Sequence, residues 1–335
     1  MRILFWGTPD FAVPSLRALD DEGFDVVGVV TQPDRPSGRG RRRAPSAIKR
    51  VAVESGFRVL TPERPRTPEF LEAIAALEPD LSIVVAYGHI LKPQVLELPR
   101  LGSINVHASL LPKLRGAAPI NWAIARGHQE TGVTIMRMVE AMDAGPILHQ
   151  VREPILADET AGELTVRLSE IGAAALVEAL AMMGAGVMDE VEQDHDAATF
   201  APKIDRDTAR IDWTRDASDV ALHVRAMDPV PGAWTKLDEA PIKLFRPSVW
   251  SPSEVAALGT EGARTNGGPR DPAPGTPSPE LGPGTVVRAV PEDGVVVSAG
   301  AGGVAFAEVQ PPGKRRMSAT DWINGRGIET GQRFE

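Results

Sequence analysis

The clearest fold signals in this chain are the stretches Leu81-Ser82-Ile83-Val84-Val85-Ala86 and Gly102-Ser103-Ile104-Asn105-Val106-His107. Each is a short, largely apolar run, and such runs are typical of strands that are buried on both faces of a sheet. Helix signals and further strand-like runs alternate on the amino-terminal side of both. That alternation predicts βαβ units and a doubly wound, mostly parallel, Rossmann-like α/β sheet with helices on both faces.

Cap signals mark the helices between the strands. Ser46 is a good N-cap residue, and Thr8-Pro9 and Thr67-Pro68 combine an N-cap residue with proline at the first helical position. Thr160-Ala161-Gly162-Glu163 is a capping box that begins a long helix. The strands on the amino-terminal side are expected at residues 3–6, 26–31 and 58–60.

A different pattern begins after residue 205. Brief strand-like runs follow a short helix at 218–227, and they predict a small, OB-like β-barrel. These strands are expected at residues 233–237, 242–245, 285–290, 295–298 and 304–309. Residues 251–284 are dense in Pro, Gly, Ser and Thr. They predict a flexible insert, because they cannot bury enough apolar surface to offset the entropy of ordering. We therefore expect an α/β domain at 1–205 and a barrel domain at 206–335.

The composition narrows the class of protein. The 335 residues contain no cysteine, which excludes disulfides, thiolate metal sites and a cysteine nucleophile. No apolar run approaches the roughly 20 residues that cross a bilayer, and residues 1–7 are too short in their apolar part for a signal peptide. The net charge of −9 argues against a general nucleic-acid coat protein. We expect a soluble, cytoplasmic protein.

Polar side chains that can do chemistry lie in and near the predicted strand at residues 102–107. Residues two apart in a strand share a face, so Asn105 and His107 project together near the carboxyl end, where open α/β sheets bind ligands. An amide donor beside an imidazole can stabilise charge that develops on a carbonyl oxygen. The loop at 140–146 brings Asp143 toward His107 if the strand at 133–138 is a neighbour, and a carboxylate there favours the charged imidazole.

Each of these residues also has a plain structural interpretation. Taken alone, His107 is most often a satisfied structural histidine, and Asn105 and Asp143 are turn residues. A basic run such as residues 39–43 is usually a solvated loop. The other histidines have no metal-ligand spacing, so we expect no metal site.

Together, the motifs resemble a known family. The motifs similar to the signature of the 10-formyltetrahydrofolate-dependent formyltransferases are Asn105-Val106-His107, Ser109-Leu110-Leu111-Pro112 with Arg115-Gly116, and Asp143-Ala144-Gly145. Residues 7–11, 31–36 and 310–314 narrow the resemblance to the methionyl-tRNA formyltransferases. The resemblance extends from about residue 3 to about residue 326, apart from the insert.

The resemblance implies direct attack by the α-amine of initiator methionyl-tRNA on the formyl carbon of 10-formyltetrahydrofolate. Asn105 would bind the formyl oxygen, and Asp143 would orient His107 and help to relay the amine proton. His107 would act either as a cation that stabilises the oxyanion or as a base. The residues expected to bind folate are Ser109, Leu110, Leu111, Pro112, Tyr87, Gly88, Ile90 and Val139. Of these, Tyr87 and Ile90 could equally be core residues.

The resemblance also matches Arg39 to an arginine that reaches the acceptor end of the tRNA, with Arg41, Arg42 and Arg43 beside it. We expect initiator methionyl-tRNA and the folate as partners, no metal, no membrane contact and a monomer. The nearest alternative is a formyltransferase that acts on a small amine, such as an amino-sugar nucleotide or glycinamide ribonucleotide, and does not need the arginines. A formyl-folate hydrolase and a non-catalytic RNA-binding protein are further alternatives. A nicotinamide dehydrogenase ranks lowest, since Gly-x-Gly-x-x-Gly is absent.

Overall fold

The computed structural model describes residues 1–37, 42–262 and 282–335 of the chain. These residues form two compact units. The N-terminal unit consists of Met1–Ile120, Gln129–Ile155 and Glu163–Lys203. The C-terminal unit consists of Asn121–His128, Leu156–Gly162 and Ile204–Glu335.

The chain before residue 204 alternates strands with helices. Its strands are β1 (Arg2–Gly7), β2 (Asp25–Val30), β3 (Arg35–Ser37), β4 (Arg42–Ala44), β5 (Val59–Leu60), β6 (Leu81–Val85), β7 (Ser103–His107), β8 (Arg115–Gly116), β9 (Glu130–Arg137), β10 (Ile147–Pro154) and β11 (Phe200–Ala201). Its helices are α1 (Val13–Asp21), α2 (Ala47–Glu54), α3 (Pro68–Ala75), α4 (Pro93–Leu96), α5 (Pro119–Ala125) and α6 (Ala161–Gly184), with short 3₁₀ helices at Asp10–Ala12 and His195–Ala197.

The main sheet of the N-terminal unit has the strand order β10-β9-β7-β6-β1-β2-β5. The five strands from β5 to β7 run parallel, whereas β9 pairs antiparallel with both β7 and β10. Every residue of β6 is buried, as expected of a strand that is covered on both faces. The doubly wound, mostly parallel sheet is therefore confirmed.

Two of the predicted helix caps are confirmed, and one is wrong. Lys49 N donates to Ser46 Oγ at 3.0 Å, and Phe70 N donates to Thr67 Oγ1 at 3.4 Å. Thr8 caps no helix, because the 3₁₀ helix after it has no side-chain cap. Its hydroxyl instead donates to Tyr87 O at 2.9 Å. Thr8 therefore ties the loop after β1 to the loop after β6.

The described chain from residue 204 onward combines antiparallel strands with helices. Its elements are α7 (Ala217–Met227), β12 (Trp234–Leu237), β13 (Ala240–Trp250), α8 (Pro252–Gly262), β14 (Val286–Val290), β15 (Gly294–Ser298), β16 (Gly303–Gln310), β17 (Met317–Ser318) and α9 (Ala319–Asn324). The strands form one curled sheet in the order β12-β13-β16-β15-β14, with β17 added to β16. This sheet confirms the second, smaller β-barrel-like fold.

The last residues of the chain connect the two edge strands of the curled sheet. Phe334 N donates to Gly284 O at 2.8 Å, just before β14. On the other side, Glu335 N donates to Lys236 O in β12 at 3.0 Å. The Phe334 side chain is 1% exposed, and its ring stacks on Trp213 with centroids 5.8 Å apart. Residues 331–335 therefore link both ends of the sheet.

Part of the predicted flexible insert is helical. Residues 252–262 form α8, and Val255 within it is buried. The prediction of a flexible segment is therefore wrong for these residues, because Val255 and the alanines beside it supply an apolar contact and helix propensity that the Pro and Gly content of the whole segment obscured. The predicted insert at 263–281 lies outside the described residues.

Candidate active site

His107 is the last residue of β7, and its side chain is enclosed. The residue is 5% exposed, and its Nε2 lies 3.0 Å from Leu114 O. Because a carbonyl oxygen can only accept a hydrogen bond, Nε2 carries a proton in this arrangement. Nδ1 is the ring nitrogen that faces Asp143, with Asp143 Oδ2 at 3.8 Å. Both nitrogens therefore face oxygen acceptors.

Asp143 reaches His107 by an indirect route. Arg137 pairs with Ile104, and Met138 N donates to Ser103 O, so the β9–β10 loop leaves the sheet at the amino end of β7. His107 lies at the other end of this strand, about 13 Å along it at the usual rise per residue. The loop must run back beside β7, since the Asp143 carboxylate lies within 3.8 Å of the ring.

Asn105 lies on the same face of β7 as His107, two residues earlier. It is partly exposed, whereas its neighbours in β7 are buried. Within the described parts of the chain, its side-chain amide has no hydrogen-bond partner. The amide is therefore free to donate to a ligand.

Three consecutive residues connect the histidine to the aspartate. Leu114 O binds His107 Nε2 at 3.0 Å, and Gly116 N donates to Asp143 Oδ2 at 2.8 Å. Gly116 has φ 119°, and a Cβ there would lie 2.7 Å from Ala201 O, so only glycine fits. Arg115, between them, is 6% exposed. Residues 114–116 therefore hold the imidazole and the carboxylate in one arrangement.

Arg115 and Gln193 form a hydrogen-bond network behind the Asp143 loop that we did not predict from the sequence. Arg115 donates through Nε and Nη2 to Gln193 Oε1 at 3.1 and 2.7 Å. Gln193 in turn donates through Nε2 to Asp143 O at 2.9 Å and to Gly145 O at 2.7 Å. Gln193 lies in a polar segment far along the chain from all three candidate residues, and it has no motif around it. The sequence therefore carries no signal that could have found this pair.

The turn after β7 is fixed by its own hydrogen bonds. Ser109 Oγ donates to Lys113 O at 2.7 Å, and Thr134 Oγ1 donates to Ser109 O at 2.6 Å. Ser109 and Leu111 are buried, whereas Leu110 and Pro112 are half-buried. Of the four residues predicted here to bind folate, Leu110 and Pro112 are therefore the ones with side-chain surface to offer.

The loop after β6 contains Tyr87 and Gly88, two of the other residues predicted to bind folate. The Tyr87 side chain is 1% exposed, its ring lies 5.2 Å from that of Trp6, and burial raises the pKa of its hydroxyl to about 12. Tyr87 is therefore a core residue. Its carbonyl accepts hydrogen bonds from Thr8 and from Gln32, which fix the loop. Gly88 is exposed.

Large apolar side chains are exposed in the loop after β6 and in the loop that carries Asp143. Ile90 is 82% exposed, so the interpretation of Ile90 as a core residue is wrong. Val139 is 43% exposed and Met142 is 58% exposed, and both lie in the loop that carries Asp143. Exposed apolar residues on loops that flank polar groups are a common feature of ligand sites.

Two of the predicted tRNA-binding arginines, Arg42 and Arg43, lie in β4, which pairs antiparallel with β3 as a hairpin; Pro36 pairs with Arg43. The Arg43 side chain is exposed. Only the backbone of Arg42 is described, and Arg39 and Arg41 lie outside the described residues. The hairpin follows the end of β2, so it begins at the carboxyl edge of the sheet.

The described residues contain neither a metal-binding cluster nor a membrane-spanning helix. No group of three or more His, Cys, Asp or Glu side chains is placed to hold a metal ion among residues 1–37, 42–262 and 282–335. In the same part of the chain, no helix is both long enough and apolar enough to cross a bilayer.

Comparison with known proteins identifies the family. The formyl transferase family model matches residues 1–180, and the model of the formyl transferase C-terminal domain matches residues 203–327. The chain belongs to the formyl transferase family. This result confirms the predicted family and the prediction of a one-carbon group transferase.

Individual members of the formyl transferase family resemble the chain over its whole length. Methionyl-tRNA formyltransferase of Symbiobacterium thermophilum is 44% identical, over 100% of this chain and 95% of that protein. The protein of the same name from Methylococcus capsulatus is 44% identical, over 98% of both chains. WlaRD is a sugar 3N-formyl transferase solved in the presence of dTDP and 5-N-formyl-THF. It shares the fold at 16% identity, with a TM-score of 0.61 over 94% of this chain and 99% of that one.

Proposed function

We propose that this chain transfers the formyl group of 10-formyltetrahydrofolate to the α-amine of methionyl initiator tRNA. The observation that carries the proposal is the placement of His107 and Asp143 within 3.8 Å of each other, beside the free amide of Asn105. Full-length relatives at 44% identity bear the name methionyl-tRNA formyltransferase, which supports the choice of acceptor. This acceptor also assigns the chain to the cytoplasm.

The proposed reaction needs no enzyme nucleophile. The neutral amine attacks the formyl carbon, and a tetrahedral intermediate forms with negative charge on the formyl oxygen. The bond from that carbon to N10 of the folate then breaks. N10 takes a proton, and the amine nitrogen loses one. The products are an N-formyl amine and tetrahydrofolate.

Each of the three side chains has a task in this scheme. Asn105 donates its amide N–H to the formyl oxygen, where charge develops. His107 acts as a cation. This assignment is supported by its two ring nitrogens, which face Leu114 O and the Asp143 carboxylate, because an imidazolium has two N–H donors. Asp143 supports that charge and accepts the amine proton through water.

The folate is placed against the exposed apolar residues of the two flanking loops. In this proposal Leu110, Pro112, Ile90 and Val139 contact the folate with their side chains, and Gly88 admits its ring close to the backbone. The side chains of Ser109, Leu111 and Tyr87 are buried. In this proposal they support the residues that contact the folate. WlaRD was solved in the presence of 5-N-formyl-THF, which supports a folate on this fold.

The tRNA is assigned to the β3–β4 hairpin. An exposed arginine such as Arg43 can bind a phosphate through two parallel hydrogen bonds. Arg39, Arg41 and Arg42 belong to the same proposal by resemblance. A formyltransferase for a small amine would not need these arginines. The arginines of the hairpin therefore favour tRNA over a small amine as the acceptor.

A transfer assay with labelled 10-formyltetrahydrofolate tests the proposal. The acceptors to compare are methionyl initiator tRNA, the same tRNA without its amino acid, and an amino-sugar nucleotide. We expect the label on the charged tRNA alone. Label on the amino sugar but not on the tRNA would overturn the proposed acceptor, and release of free formate with neither acceptor labelled would indicate a hydrolase.

A further inference from the structure

Gln193 uses its whole side-chain amide to connect Arg115 to the loop that carries Asp143. The residue is 5% exposed. Its Oε1 accepts two hydrogen bonds from Arg115, and its Nε2 donates to Asp143 O at 2.9 Å and to Gly145 O at 2.7 Å. The amide therefore spans the turn from Asp143 to Gly145.

The chemistry of its partners fixes the orientation of this amide. A guanidinium can only donate, so the atom that faces Arg115 must be the oxygen. The two backbone carbonyls can only accept, so the atom that faces Asp143 and Gly145 must be the nitrogen. A flipped amide would lose all four contacts. Few residues other than glutamine can meet these requirements at this position.

The turn needs such support because it holds Asp143 in a strained conformation. Asp143 has φ 51°, in the left-handed region that side chains rarely adopt. A conformation of this kind costs about 1–3 kcal/mol and persists only where surrounding contacts impose it. The contacts that impose it here are the two bonds from Gln193 and the bond from Gly116 N to Asp143 Oδ2.

Arg115, which holds Gln193 in place, is a buried charge without a counter-ion in the described part of the chain. Its guanidinium is buried, and its partners are neutral: Gln193 Oε1 and His195 Nδ1, the latter at 2.9 Å. Within the described residues, no carboxylate forms an ion pair with it. A buried charge without a counter-ion lowers the stability of the fold. An apolar residue could fill the same space without that cost, so packing alone does not explain Arg115.

We infer that Gln193, anchored by Arg115, is a positioning residue of the formyl transfer reaction. It holds the Asp143 turn in its left-handed conformation, so that the carboxylate stays beside His107. Gln193 touches neither folate nor acceptor. The inference rests on the proposed function, in which Asp143 supports the charge of His107.

The substitution Gln193→Glu separates this role from packing. Glutamate has nearly the same size and keeps an acceptor for Arg115, but it has no N–H for the Asp143 and Gly145 carbonyls. We expect kcat for formyl transfer to fall by about 10- to 100-fold, which is typical when the support of a catalytic group is removed. KM for the folate and for the tRNA should stay within about twofold, since neither substrate touches Gln193. Gln94→Glu, on the exposed surface of α4, is the matched control and should change nothing.

A double-mutant cycle identifies the route by which Gln193 acts. If it acts through Asp143, Gln193→Glu should change kcat by less than about twofold once Asp143→Asn is present. An equal fold-loss in both backgrounds would overturn the inference, because it would show that Gln193 acts elsewhere. Wild-type kcat in Gln193→Glu alone would overturn it as well.

A measurement without turnover keeps this test separate from that of the proposed function. Gly116 N–H donates to the Asp143 carboxylate, so its amide resonance in the ¹⁵N-glycine-labelled protein reports where that carboxylate lies. We expect Gln193→Glu to move the Gly116 resonance and speed its hydrogen exchange, with unchanged thermal unfolding of the whole chain. An unmoved Gly116 signal would refute the positioning of Asp143 by Gln193, even if the chain proved to formylate another amine.

Discussion

Neutralising Asp143 tests how much the enzyme relies on a charged pair. Asp143→Asn keeps the shape of the side chain and an oxygen that can accept from Gly116 N, so the turn should survive. It removes the negative charge that lies 3.8 Å from His107 Nδ1. The substitution therefore changes the electrostatics of the site with little change in its geometry.

The size of the effect follows from this distance and the burial of the pair. Two unit charges near 4 Å attract by about 1 kcal/mol in water and by about 4 kcal/mol at the effective dielectric typical of protein sites. The side chains are 6% and 17% exposed, so the pair lies nearer the second limit. Each 1.4 kcal/mol is about tenfold in rate, so we expect kcat to fall by about 10²-fold.

The assay is single-turnover formyl transfer from labelled 10-formyltetrahydrofolate, which isolates the chemical step from product release. Asp189→Asn, which neutralises an exposed carboxylate of the same unit, controls for the change in net charge. A rate for Asp143→Asn within about threefold of wild type would show that the charged pair does not support the reaction, because the pair would then contribute less than even its value in water.

Four further outcomes are expected. Asn105→Ala should lower kcat by about 10²- to 10³-fold, as for other lost oxyanion donors, with unchanged circular dichroism; near-normal turnover would exclude this role. Arg43→Ala should reduce the slope of log Kd for tRNA against log salt by about 0.7–1 without changing folate binding, and an equal slope would argue against a phosphate contact. Phe334→Ala should lower the free energy of unfolding by about 3–5 kcal/mol in urea titrations, and a loss below about 1 kcal/mol would contradict closure of the curled sheet by the last residues. Burial lowers the pKa of His223 below its ordinary value of 6.5. The unfolded chain therefore binds a proton more readily than the folded chain, and the free energy of unfolding falls as pH drops below about 6.5, by at most about 1.4 kcal/mol per pH unit. The substitution His223→Gln should reduce this loss of stability between pH 7.5 and 5.5. An unchanged loss would exclude His223 as its source.

The fold could be predicted because its signals are local. The runs around Leu81 and Gly102 are strands because of their own composition, and Ser46 caps α2 through a contact three residues away. Thr8 looked like a cap by the same rule, but its hydroxyl binds the carbonyl of Tyr87, which only the folded sheet brings near. A local rule fails where a distant partner competes for the same group.

The site was predictable only where strand periodicity or a motif marked it. Asn105 and His107 share a face because they are two residues apart in one strand. The sequence carries no sign of the path of the loop beyond Met138, which turns back along β7 to bring Asp143 near His107. Gln193 could not be found either, because its role depends on two carbonyls of a turn fifty residues earlier. Such contacts are made by the tertiary structure alone.

A structure of the protein with a stable formyl-folate analogue would show directly whether Asn105, His107 and Asp143 surround the formyl group. We expect the formyl oxygen within about 3 Å of the Asn105 amide nitrogen, with the formyl group beside His107 and Asp143. A formyl group bound on any other surface, with these three side chains facing away from it, would show that they do not form the reaction centre.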